Sequence, residues 1–462
     1  MKAAGVPYTA IPLLEGPIGR TLVRMALPMA FGMAAIVLFN IVDTFYVGRL
    51  GATELAAMSF TFPVVYMLMH VAVGLGVGLV AVVSRVIGEG DHWRVGRLTS
   101  DGLILANTVV MVVAIAGLLS IEPLFRALGA GDDLIPLIKS YMVWLYGGIG
   151  FLVIPIVGNS AIRATGDTKT PAIIMSVAGL VNIALDPLLI FGIGPFPRLE
   201  LQGAAIATVI SWAVTFVAAF WILGRRLRMI DFRPPPPAEM WRSWKAILYV
   251  GVPASATQVL VPVAAGIVTR IVSGFGPVAV AAFGVGTRVE AFAMIGVFSL
   301  GASLAPFIGQ NYGARNCDRL RQAIRFCGVV SLGFGAAFFV ILAVLARPIA
   351  MLFNDQEAVV SIIVKYLRIM PVGYAFHGFV LLTISAFNAL NRPITSAVLN
   401  LFRLFIFGIP LAYLGARYVG VSGVFSGLVI ANTFSALIAY FAIRKTLSVI
   451  ASEMGSKVPS AG

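Results

Sequence analysis

Of the 462 residues, 60% are hydrophobic and only 11% charged, a composition that no water-soluble core of this length needs. The formal charge of +14 would point a soluble chain toward nucleic acid. Here the basic residues lie between long apolar runs and follow the loops of one membrane side, so no nucleic-acid partner is expected. The runs are continuous and reach the roughly 20 residues a helix needs to cross a bilayer core, without the alternation of barrel strands. The chain reads as an all-α polytopic protein embedded in the lipid bilayer of the cell (inner) membrane.

Twelve spans are predicted, at 20–47, 55–84, 98–121, 135–160, 170–192, 203–224, 245–272, 278–308, 323–346, 360–388, 393–415 and 421–443. The first carries Pro28, Asn40 and Asp43. It lacks a convincing cleavage site and is expected to stay in the mature protein. A charge at bilayer depth costs about 2.5–3.5 kcal/mol on insertion scales, so an intramembrane acid is a functional residue by default. Span 2 brings Phe62, Tyr66, Met69 and His70, and span 4 brings Asn159. Span 5 holds Asn182 and Asp186. Pro187 follows the acid at once and biases its backbone away from α geometry. Span 6 adds Thr208.

Residues 225–244 read as a cytoplasmic linker between an N-terminal six-helix lobe, 1–224, and a C-terminal one, 245–462. The linker holds Arg225, Arg226, Arg228, Arg233 and Arg242 around the run from Pro234 to Pro237, and is semi-rigid where it is polyproline. Most of the 33 lysines and arginines fall on the side of the N-terminus, which places both termini in the cytoplasm. The second half carries Gln258, Arg288, Glu290, His377 and Arg403 in or near spans. Glu290 is expected to pair with Arg288 or Arg403, as a structural or gating ion pair, because a lone buried acid is expensive. His70 and His377 read as lone, packed, neutral rings. Cys317 and Cys327 fall near the cytoplasmic end of span 9, where neither a disulfide nor a metal site is expected.

Shifted by 225 positions, the chain matches itself without a gap. Pro28 falls on Pro253, Gly51 on Gly276, Leu75-Gly76 on Leu300-Gly301, Gly88 on Gly313, Arg94 on Arg319, Tyr141 on Tyr366 and Ala164 on Ala389. The offset drifts to 220 at Gly203 and Gly423. Each half has six spans, an even number, so the copies are related by a pseudo-two-fold axis along the membrane normal. Parallel repeats of this kind build transporters that alternate access around a site between the halves.

The acids do not recur. Asp43 falls on Val268, Asn159 on Ile384, and Asp186 opposite the Gly408 region, so the fold can be built without them. Asn182 and Asp186 are four apart and Asn40 and Asp43 three apart, which puts each pair on one helix face. Asn159 and Thr208 can join them if the first six helices form a bundle. Two carboxylates in one apolar pocket cannot both ionise cheaply, so the pair is fit to take a proton on one side and release it on the other. The oxygens of Asp43, Asn182, Asp186 and Thr208 would equally make a cage for sodium. Pro28, upstream of Asp43 in the same helix, removes a backbone bond to Arg24 and permits bending.

At this point the residues match a family. The segments LPM and NIVDTFYVGRLGATELAA of span 1, IRATGDTKTP from Ile162 to Pro171, VNIALDPLLIFG of span 5, and GVGTRVEAF and LAPFIGQNYGA of the second half resemble the multidrug and toxic compound extrusion (MATE) family. The resemblance covers nearly the whole chain. It implies twelve helices in two lobes, export of cationic amphiphilic drugs, and proton or sodium influx as the driving force. Asp43, Asn159, Asn182, Asp186 and Thr208 match the polar cluster of the branch that keeps its cation site in the N-terminal lobe, and Pro28 matches that branch's bending proline. The other branch places acids in spans 7 and 10, where this chain has Gln258 and His377.

The expected activity is therefore antiport, not enzymatic catalysis and without a cofactor. Amphiphilic, mostly cationic compounds leave as H+ (alternatively Na+) enters, with the protein acting as a monomer. Substrate is expected against aromatic and methionine side chains such as Met33, Phe39, Phe62, Tyr66 and Met69. The alternative is a flippase for lipid or lipid-linked oligosaccharide. It would want a strongly basic cavity, which two intramembrane arginines against three acids do not supply.

Overall fold

A computed structural model describes residues 13–233 and 236–455. The secondary structure among them is entirely helical: α1 Ile18–Gly48, α2 Ala52–Glu89, α3 His92–Leu119, α4 Ile121–Ala127, α5 Ile135–Ala164, α6 Lys169–Phe191, α7 Glu200–Trp221, α8 Pro237–Ser273, α9 Pro277–Ala293, α10 Ile295–Gly313, α11 Cys317–Phe353, α12 Glu357–Ile369, α13 Tyr374–Ala389, α14 Pro393–Leu401, α15 Ile409–Val419 and α16 Val421–Glu453. A π-helical turn, Ile222–Arg226, extends α7, and another, Phe402–Gly408, joins α14 to α15. Eleven continuous stretches are long and apolar enough to cross a bilayer, and α9 with α10, bent by 44°, makes a twelfth. Each predicted span has its helix.

The described residues form two compact units, one of 28–255 and one of 13–27 with 256–455. Two helices change unit along their length. In α1 the change falls between Leu27 and Pro28, and in α8 between Ser255 and Ala256, two residues beyond Pro253. The repeat-related prolines thus mark both crossings.

In the first unit α5 is the central helix, packed on α2, α3, α6 and α7. Ile138, Met142, Val153 and Val157 form its buried face. In the second, α13 packs on α10, α11 and α16, and Tyr366 meets Phe425 edge-on at 4.9 Å. Lipid tails are as apolar as leucine, so helices associate through close packing of small residues. Gly203 of α7 lies so near α6 that a Cβ would stand 2.4 Å from the Leu189 carbonyl oxygen. Its repeat partner Gly423, on α16, meets the Gly415 carbonyl at 1.9 Å in the same way. Helix starts repeat as well. The Asp91 side chain accepts from the Arg94 amide at 3.1 Å, and Asn316 from the Arg319 amide at 3.3 Å, each satisfying a first-turn N–H.

Two local expectations are corrected. α6 runs unbroken through Pro187, and Asp186 stays helical. In a packed membrane helix neighbouring groups re-satisfy the carbonyl that a proline frees. The helix of span 7 begins at Pro237 and not at 245, because proline at a first helical position loses no bond and has its φ preset. The rest of the predicted linker is pinned to α3. Arg97 holds Asp101 and donates to the Arg233 carbonyl at 2.8 Å, the Asp231 amide donates to Ser100 at 2.8 Å, and the Trp244 indole to the Asp101 carbonyl at 3.0 Å. Pro234 and Pro235, like the two termini, lie outside the described residues. Cys317 and Cys327 are buried and free.

Candidate cation-coupling site and adjoining cavity

Asp43 of α1 and Asp186 of α6 are both buried, at 6% and 0% exposure, and lie within side-chain hydrogen-bonding reach of each other. Neither forms an ion pair with a basic residue among the described residues, and one Asp43 oxygen has no partner. Asn182, one helical turn before Asp186, stands between that acid and Thr208 of α7. Its amide is oriented so that both of its polar atoms are satisfied. With nitrogen toward the acid it donates to Asp186 Oδ2 at 2.6 Å, while its oxygen accepts from the Thr208 amide at 3.3 Å and hydroxyl at 3.2 Å. That set suits an ionised Asp186. The Thr208 hydroxyl in turn donates to the Ala204 carbonyl at 2.9 Å.

The predicted residues thus divide. Asp43, Asp186, Asn182 and Thr208 come together. Asn40 and Asn159 do not reach the acids through any recorded bond but line an adjoining cavity of about 450 Å3 between α1, α2, α5, α6 and α7. Asn159 Oδ1 is buried without a partner. Of the side chains expected to hold substrate, Met33, Phe39, Tyr66 and Met69 line this cavity. Phe62 does not, although its ring lies 6.1 Å from that of Tyr66. Trp212 and Arg163 also line it, and neither stands out in the sequence: Arg163 lies beyond the predicted end of span 4 and reads as a loop cation.

In the second unit the polar residues make a different network. Glu290 accepts from the Tyr366 hydroxyl and faces His377 Nδ1 at 3.7 Å. Arg403 meets His377 Nε2 at 3.1 Å and donates to Asn400 Oδ1 at 3.3 and 3.0 Å. The expected direct pair of Glu290 with an arginine is therefore not formed. Arg288 is exposed, and Arg403 is joined to the acid only through His377, which is not the lone ring the sequence suggests. Gln258 is half-buried on α8. Tyr141, the repeat partner of Tyr366, is buried on α5.

A duplicated twelve-span protein with unpaired buried carboxylates beside a cavity in one unit is a secondary transporter. The chain belongs to the MATE family, whose MatE model matches it twice, over residues 28–188 and 253–414. Both matches begin at the repeat-related prolines. The FAD transporter of Shewanella oneidensis is 39% identical over 433 residues, covering 94% of this chain and 96% of its own. The multidrug export protein MepA of Staphylococcus aureus is 23% identical, over 95% of this chain and 97% of its own. The crystal structure of the Vibrio cholerae MATE transporter VcmN in the bent form is 30% identical, with a TM-score of 0.89 over 94% of this chain and 98% of that one. The protein is thus a secondary-active efflux transporter of the MATE type and not an enzyme.

Proposed function

We propose that efflux is coupled to inward movement of a proton through the Asp43 and Asp186 pair, with Asn182 and Thr208 as its hydrogen-bonding support. The observation that carries this reading is that, among the described residues, no basic side chain pairs with either of two adjacent buried acids. In an apolar interior such charges need neutralising, and a mobile cation is what remains to do it. A proton shared between carboxylates answers the acid-to-acid reach, and the amide of Asn182 donates to Asp186. Sodium on the same oxygens is the alternative coupling ion, since Asp43, Asn182, Asp186 and Thr208 all offer hard oxygen donors.

Loading the pair changes the local charge by one unit. Bending of α1 at Pro28, upstream of Asp43, is the conformational step we assign to that change. A cation can shift the equilibrium only by its differential affinity for the two states. Cargo is held in the cavity of the first unit, and amphiphilic, mostly cationic aromatics suit the acids at one end. We take 1–224 and 245–462 as the working lobes and 225–244 as their connection. We place the protein, as a monomer, in the inner membrane with both termini cytoplasmic. A second reading of the cargo follows from the relative named for FAD: an anionic flavin nucleotide, favoured by the half-buried Arg163 of the same cavity.

The test is drug efflux in inverted vesicles with a pH gradient or a sodium gradient imposed separately. The pH gradient should drive it in the parent and in neither Asp43→Asn nor Asp186→Asn. Mutants that transport like the parent at equal expression would remove the coupling assignment. Flux indifferent to both gradients would favour the flippase.

A further inference from the structure

The two buried arginines among the described residues have company. Arg97 holds Asp101, with Asp231 at 3.8 Å, and Arg403 holds Asn400 and His377, with Glu290 beyond. Arg163, half-buried, is different. Its Nη2 donates to Ser160 Oγ at 2.7 Å, its Nε is buried with no partner, and no carboxylate reaches it within ion-pair distance among the described residues. Buried guanidinium groups are normally paired, since an unpaired one forfeits hydration without recompense.

Its place gives the missing partner a direction. Arg163 sits in the last turn of α5 and lines the cavity of the first unit together with Pro171 near the start of α6. Asn182 and Thr208, the neighbours of the acids, line it as well. From Pro171 to Asn182 the wall formed by α6 is about 16 Å long at 1.5 Å per residue. Phe39, Tyr66 and Trp212 supply aromatic faces to this cavity. One end therefore meets Asn182 and Thr208, which stand beside the acids, and the other carries an uncompensated guanidinium.

We propose that Arg163 is an anion-recognition residue, and that this cavity takes aromatic compounds bearing a phosphate or carboxylate, oriented with the anion at Arg163. The inference rests on the second reading of the cargo given above and assigns the group that would carry it. A guanidinium presents its N–H donors in a planar fork that matches an oxyanion two bonds at a time, and the aromatic walls accommodate a flat ring. Selection of the anion works through Arg163 and not through the carboxylates, so it survives their neutralisation.

The experiment uses riboflavin and flavin mononucleotide, which differ by one phosphate, binding to the purified full chain in nanodiscs, read by flavin fluorescence. The parent should bind the phosphorylated flavin about tenfold or more tightly than riboflavin, as expected for hydrogen bonds to a charged group. In Arg163→Gln the ratio should fall to about one with riboflavin affinity unchanged, while Arg163→Lys keeps part of it. A ratio near one in the parent, or an unchanged ratio in Arg163→Gln, overturns the proposal. If Arg163→Gln fails to fold, the parent ratio and the lysine variant decide. If neither flavin binds, the flavin reading fails alone. Arg163 is then judged by 1-naphthyl phosphate against 1-naphthol, where equal affinity overturns it.

Discussion

Replacing Asn182 by leucine keeps the side chain's approximate size and removes the amide between Asp186 and Thr208. In the orientation suited to an ionised acid, that amide donates to Asp186 Oδ2 at 2.6 Å. A hydrogen bond to a charged group contributes about 1.5–3 kcal/mol. The ionised pair should therefore lose that much stability relative to the protonated pair, which receives no such donation. At 1.36 kcal/mol per factor of ten, proton release becomes about 10-fold to 150-fold less favourable. Transport in inverted vesicles should then fall by at least tenfold at neutral pH and recover partly when the releasing side is made more alkaline. Asn182→Gln, which retains the amide on a longer stem, should fall less. An Asn182→Leu protein that transports like the parent across the whole pH range would refute the assignment of this amide as the support of the acid.

Three further outcomes follow from the same geometry. Pro28→Ala restores the backbone donor that α1 lacks there, so cargo binding should persist while efflux falls severalfold, measured by fluorescence binding and vesicle flux on one preparation. Tyr366→Phe strips Glu290 of its hydroxyl partner. Leaving a buried acid short of a bond costs about 1.5–3 kcal/mol, so the apparent melting temperature should drop by a few degrees. Asp101→Asn leaves Arg97, buried against it, with Asp231 at 3.8 Å as its remaining carboxylate partner. Breaking a buried pair outright costs about 3–5 kcal/mol, so a smaller loss is expected, read as a loss of folded protein in detergent-resistance assays.

The spans were legible because nothing but a bilayer rewards such long apolar runs, and predicted limits such as 20–47 lie within two residues of Ile18–Gly48. The acids were legible for the converse reason, since a charge amid such a run stands out, and the repeat showed that Val268 can occupy the place of Asp43. What stayed hidden depended on partners distant in sequence. His377 looks solitary until folding brings Glu290 and Arg403 to its two nitrogens. Arg163 looks like an ordinary loop cation because a hydropathy reading ends span 4 at 160, whereas α5 continues to Ala164 and carries the guanidinium to the cavity wall. Pro187 misleads in a local reading, because proline geometry in isolation says nothing of the neighbours that can hold α6 together.

The central claim is that a proton leaves the Asp43 and Asp186 pair when cargo binds. Purified protein in weakly buffered solution with a pH-sensitive dye measures this directly. Adding a cationic drug should release protons from the parent, with no release from Asp43→Asn or Asp186→Asn at equal drug occupancy. Equal release from the parent and both mutants would contradict the account, and no release from the parent, with drug bound and sodium displaced instead, would assign the site to sodium.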